Sequence, residues 1–83
     1  MSMLGTGQSL TDTIAGAIRD AIPGASVEVH GSGGHFSIKV VSEAFEGKSL
    51  LSKQRMVLTA VAPFMKGDDA PVHAIDHLAT ELP

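Results

Sequence analysis

The 83-residue sequence contains no cysteine, no tryptophan and no tyrosine. Without thiols it has no disulfide framework, no thiolate nucleophile and no sulfur set of the kind that closes a structural zinc site. Any metal held here must use histidine, carboxylate or a partner's ligands. Aromatic residues reduce to three phenylalanines, which leaves little surface on which nucleic-acid bases can stack. No apolar run is long enough to span a bilayer, and no charged-then-apolar signal segment opens the sequence. The expected setting is therefore soluble and cytoplasmic, with no membrane partner. Basic residues are also scarce: six against nine acidic ones give a formal charge of −3. That balance argues against strong general binding to phosphate polymers, which draws most of its affinity from Lys and Arg. Four of the six, Lys39, Lys48, Lys53 and Arg55, nevertheless fall in one central stretch, so a local positive patch is expected.

What is present is an ordinary globular composition, 43% hydrophobic and 18% charged. A chain of this size supports one core and buries only about 60–65% of the surface its unfolded form exposes. A deep private active site does not fit such a domain, and function is expected on a surface or an interface. Residues 1–8 are rich in Gly, Ser and Met without periodicity and are expected to be disordered, with a single domain over 9–83.

From Ser9 onward the pattern becomes helical. Ser9 is placed as N-cap with Asp12 three residues on, and Leu10, Ile14, Ala17, Ile18, Ala21 and Ile22 recur at helical spacing until Pro23-Gly24. Val27 and Val29 alternate with polar residues, as do Phe36, Ile38 and Val40, which predicts two half-buried antiparallel strands joined through Gly31-Ser32-Gly33-Gly34. A polar connection from Ser42 to Lys48 follows. Leu50, Val57, Val61 and Phe64 or Met65 then mark one face of a second helix, which Pro63 should end or bend near Ala62. After the turn-rich Gly67-Asp68-Asp69-Ala70-Pro71, the stretch Val72 to Leu78 is predicted as a third strand. A right-handed crossover then makes it parallel to its neighbour. The expected fold is α+β, in the order α-β-β-α-β, with a mixed three-stranded sheet, both helices on one face and the other face comparatively open.

Several motifs have plain structural readings. Gly47-Lys48-Ser49 ends like a phosphate-binding loop, but the position five before Gly47 is Ser42, so a turn followed by a helix cap at Ser49 is favoured over nucleotide hydrolysis. The two glycines spaced around the hairpin loop match a loose RNA-clamping pattern, but that loop joins strands and carries no Lys or Arg. His30 and His35 bracket the loop. If directly opposed, their Cβ atoms would lie about 5 Å apart, close enough to share a metal, although two exposed histidines at a hairpin tip is the simpler reading. His73 and His77, four apart on a strand, would stand about 13 Å from each other and would not chelate together. Asp68 and Asp69 belong to a solvated turn, and no catalytic triad can be singled out.

The stretch Val40-Val41-Ser42-Glu43-Ala44-Phe45-Glu46-Gly47-Lys48-Ser49-Leu50-Leu51, followed by Arg55-Met56-Val57 and Val72-His73-Ala74-Ile75, closely resembles the BolA family. With Gly33-Gly34-His35-Phe36 ahead of it, the likeness runs roughly from Val27 to Leu78. The resemblance implies a fold related to the type II KH domain, in agreement with the order of elements read from periodicity. It also implies a non-enzymatic accessory protein that pairs with a monothiol glutaredoxin, in an apo complex or around a shared [2Fe-2S] cluster, in iron-sulfur trafficking or iron regulation. Some bacterial members are DNA-binding transcription regulators of morphology and stress response.

Carried over by the same resemblance, the family's His-Ala histidine matches His73, and the variable loop ligand best matches His35, with His30 in reserve. His77 is expected to be a bystander. Two imidazoles would complement a glutaredoxin cysteine and a glutathione cysteine, so the isolated chain is expected to be a monomer without cofactor and the complex a heterodimer. Ligating imidazoles must be unprotonated, and association should weaken as pH falls through the histidine range. In a eukaryotic cell the mitochondrial matrix or another organelle is the alternative to the expected cytoplasmic setting. Where many members read His-Arg in the second helix, this sequence reads Gln54-Arg55, which removes support for any role tied to that histidine. Pro63 and the Gly67–Pro71 loop also depart from the usual helix end. Two readings follow: an adaptor with His73 and His35 as cluster ligands and Lys48, Lys53 and Arg55 on the partner surface, or a nucleic-acid-binding regulator using the Lys39 to Arg55 stretch.

Overall fold

The computed structural model describes residues 9–83, so the expectation of disorder over 1–8 lies outside the described residues. Helix α1 spans Leu10–Ala21 and opens as the capping pattern requires, Ser9 Oγ accepting a hydrogen bond from the Asp12 N–H at 3.2 Å. Ile14 and Ile18, joined by Ile22 just past its end, form the buried stripe, while Ala21 stays exposed. Strands β1 (Ser26–Ser32) and β2 (His35–Val41) pair antiparallel, and β3 (Ala74–Glu81) pairs parallel to β2, giving the order β1-β2-β3. Helix α2 (Leu50–Val61) supplies the crossover.

Alternation in the two hairpin strands fixes the faces of the sheet. Phe36, Ile38 and Val40 are buried and Val27 and Val29 partly so. They meet Ile14 and Ile18 of α1 and Val57 and Val61 of α2 in one core. Both helices therefore cover the same face, as expected. The opposite face carries Glu28, His30, Ser37, Lys39 and His77 around a shallow depression of about 410 Å³.

The polar connection after β2 is more structured than its composition implies. Ser42 Oγ accepts from the Ala44 N–H at 3.0 Å and caps a 3₁₀ turn over Glu43–Phe45, which drives Phe45 into the core. The Ser42 N–H donates to the Glu81 carbonyl at 3.0 Å, tying the far ends of β2 and β3 together. Ser49 caps α2, its Oγ accepting from the Ser52 N–H at 3.1 Å. Regular helix stops at Val61 and continues as a 3₁₀ segment through Met65, the break that Pro63 imposes. Among the described residues, no helix is long and apolar enough to cross a membrane.

Two expectations need correction. The third strand runs over Ala74–Glu81 rather than Val72 to Leu78. Val72 is buried, but ahead of the strand, where its N–H donates to the Phe64 carbonyl at 3.1 Å. An apolar residue anchoring a loop gives the same local signal as one beginning a strand. Leu50, expected on the inner face of α2, is 60% exposed, because it occupies the first turn and lies beyond the edge of the core.

Among the described residues, one buried side-chain polar group lacks a partner: the Thr80 hydroxyl, on the core side of β3 opposite Val40. Thr80→Val keeps the shape and removes the unsatisfied group, and it is expected to raise the urea midpoint by about 1 kcal/mol of stability with unchanged slope. Phe45→Ala is expected to act in the opposite direction by about 3–5 kcal/mol, measured in the same titration.

Candidate functional site

The hairpin tip determines where the histidines go. Gly33-Gly34 forms a two-residue turn, with φ of +64° and +86° and Ser32 opposite His35. Both central residues of such a turn require the left-handed region, which glycine enters without steric cost. The four-residue connection expected from Gly31 to Gly34 is therefore shorter by two, since Gly31 and Ser32 belong to β1. His30 in consequence faces Ser37, not His35, so the two are not directly opposed, and both are exposed, as the simpler reading has it.

The same turn brings His35 and His73 to one end of the sheet. The Gly34 carbonyl accepts two backbone hydrogen bonds, from the His73 N–H at 2.8 Å and the Ala74 N–H at 3.0 Å. His35, the next residue, pairs in register with Ala74. His73 thus enters the sheet directly beside the hairpin tip. Its ring lies over Gly34 so closely that a Cβ at Gly34 would stand 2.7 Å from His73 Nδ1 and 2.8 Å from Cγ. Gly34 is buried while His35 and His73 are exposed.

A bulge in β3 shapes the rest of this end. Phe36 pairs with Ile75 and Ser37 with His77, leaving Asp76 as an extra residue without a partner in β2. Asp76 and His77 are consecutive exposed residues, whereas Ile75 and Leu78 on either side pack against the core. Asp76 Oδ1 lies 3.2 Å from His35 Nδ1. His77 stands in line with Ser37 and His30 across the open face, away from the His73 side of the turn. Neither Gly34 nor Asp76 was singled out from sequence. The Gly-Gly pair directly ahead of His35 was the available signal for the first, and the break in period-two alternation between Ile75 and Leu78 was the signal for the second.

What this end offers chemically is two exposed imidazoles, one at the start of β2 and one in the loop just ahead of β3, backed by the hairpin turn. Among the described residues, no group of three or more His, Asp or Glu side chains converges to hold a metal ion. An imidazole pair is a donor set that suits iron and other transition metals, and a full set of four ligands would need groups from outside these residues.

The basic residues do not gather into the single patch expected from their sequence proximity. Lys39 lies on the open face of the sheet, with Nζ 3.8 Å from Glu81 Oε1, while α2 covers the opposite face. Lys53 and Arg55, two positions apart, project about 200° from each other around α2. Arg55 borders a hollow with Ala21, Ser52, Met56 and Thr59, beside α1. Lys48 precedes the helix, its N–H donating to the Phe45 carbonyl at 3.1 Å.

Comparison with known proteins gives one consistent answer. A family model described as BolA-like protein matches residues 16–81. Protein BOLA2 of Arabidopsis thaliana is 42% identical over 53 residues, 64% of this chain and 53% of its own length, so the matched region spans about half of that relative. A BolA homologue from Coxiella burnetii superposes with a TM-score of 0.71 at 30% identity, covering 92% of both chains. Mouse BolA1 gives 0.71 at 27% identity over 92% of this chain and 67% of its own.

The packing of His73 on Gly34 separates the two turn glycines experimentally. Gly33→Ala meets open space and should cost only the strain of a left-handed residue, about 1–2 kcal/mol. Gly34→Ala adds a collision with the His73 ring, so it should cost more and shift the His73 ring resonances, which NMR of the two variants reads directly.

Proposed function

The chain belongs to the BolA family, and on that premise we propose that it is a non-enzymatic adaptor that binds a monothiol glutaredoxin and shares a [2Fe-2S] cluster with it in iron-sulfur trafficking or iron regulation. The observation that carries this reading is the placement of His35 and His73 at the same end of the sheet, where the Gly34 carbonyl fixes the backbone of His73 and its neighbour. A [2Fe-2S] centre takes four ligands. This cysteine-free chain supplies two imidazoles, and a glutaredoxin cysteine with a glutathione cysteine supplies the remaining pair. When bound, the cluster provides the redox-active, transferable iron. The chain's own part is to present two imidazole nitrogens beside a rigid turn and to seat the partner around them.

Rigidity is what the fold contributes. His73 lies in a short loop rather than on a regular element, yet its N–H is bonded to Gly34 and its ring rests on that residue. Lys48, in the approach to α2, is exposed and suited to the rim of the partner surface. The alternative of a nucleic-acid-binding regulator draws less support, because the basic residues point in different directions and phosphate neutralisation needs them together.

Mixing the full chain with cluster-loaded, glutathione-bound monothiol glutaredoxin is expected to give a heterodimer and an altered visible absorption and circular dichroism spectrum. His73→Ala should abolish the spectral change, and His35→Ala should weaken cluster-dependent association by at least ~10-fold. His77→Ala should leave both unchanged. If no complex forms on size exclusion, or if the spectrum is indifferent to His73, the proposal is lost; a response to His30→Ala in place of His35→Ala would move the second ligand to the reserve position.

A further inference from the structure

We propose that Asp76 is the positioning residue for His35, its carboxylate accepting the Nδ1 proton so that Nε2 is left as the unprotonated nitrogen facing outward. The inference rests on the reading of His35 as a ligand and extends it to which ring atom acts and what holds it. A ligating imidazole normally donates its other N–H to a carboxylate or carbonyl, which fixes tautomer and ring orientation together. The separation of 3.2 Å between His35 Nδ1 and Asp76 Oδ1 meets that requirement.

The bulge is what makes the contact. In an unbroken parallel ladder Asp76 would stand opposite Ser37, two residues and about 7 Å further along β2 than His35. The extra residue holds Asp76 back between the levels of Phe36 and Ser37, within reach of the His35 ring. Other charges of the open face are engaged elsewhere: His30 Nε2 lies 3.7 Å from Glu28 Oε1, and Lys39 pairs with Glu81. Among the described residues, His35 is the side chain that Asp76 pairs with. Both side chains are about half exposed, so the pair adds little to stability, and its effect is on geometry.

The experiment has two arms. In the first, the 15N-labelled full chain without partner is examined by long-range proton–nitrogen NMR above the histidine titration range. Wild-type His35 is expected to carry its proton on Nδ1, the tautomer that free histidine disfavours. Asp76→Ala should return it to the Nε2-protonated form, and Asp76→Glu should restore the wild-type pattern at least in part. A wild-type His35 protonated on Nε2, or a tautomer unmoved by Asp76→Ala, overturns the proposal.

In the second arm, the same variants are titrated with cluster-loaded, glutathione-bound monothiol glutaredoxin. Asp76→Ala is expected to weaken the cluster-dependent association by about tenfold, with no added effect in the His35→Ala background. Association unaffected by His35→Ala overturns the ligand reading and with it the purpose of the pair. That failure is distinguishable, because the Asp76-dependent tautomer of the free protein would still be seen.

Discussion

One carbonyl organises the end of this molecule that carries the candidate site. The Gly34 oxygen accepts from both the His73 and Ala74 N–H groups and so joins the hairpin tip to the entry of β3. Parallel strands have no tight turn to set their register, and something else must decide which residue meets which. Here that decision is made at the start of the pairing, with a second tie at its far end between Ser42 and Glu81. Once His73 is bonded to Gly34, His35 lies beside Ala74, and the two histidines cannot be separated without breaking the sheet.

The price of this arrangement is a local one. Gly33 and Gly34 occupy left-handed conformations that side chains rarely adopt, and Gly34 also leaves room for the His73 ring. Further along, strict pairing is given up at the bulge, where Asp76 is left unpaired in the ladder and His77 follows it onto the open face. Irregular backbone is thus concentrated beside the two histidines, while the remainder of the sheet and both helices follow their hydrophobic periodicity. Bulges re-aim side chains in this way because the extra residue changes which neighbours a side chain can reach.

Among the described residues no element covers the second face of the sheet, and the residues on it are suited to water: Glu28, His30, Ser37, Lys39 and His77. Cross-strand pairing of opposite charge stabilises such a face modestly. The candidate site built on His35 and His73 lies at the rim of the sheet rather than in the depression over it. A domain this small buries a limited share of its surface, so its chemistry-bearing side chains lie on the outside.

The sequence alone determined the order of elements, the two helix caps, the break at Pro63 and most of the core, because each depends on spacing within a few residues. The families of residues resembling BolA proteins also placed His73 and His35 as the histidines to examine. Tertiary structure alone decided the length of the hairpin turn, the start of β3 and the meeting of Asp76 with His35. Those depend on which strand edge meets which backbone group, and a register shifted by one residue turns every side chain to the other face. Local periodicity carries no record of that choice. A single carbonyl between residues some forty positions apart in the chain makes it.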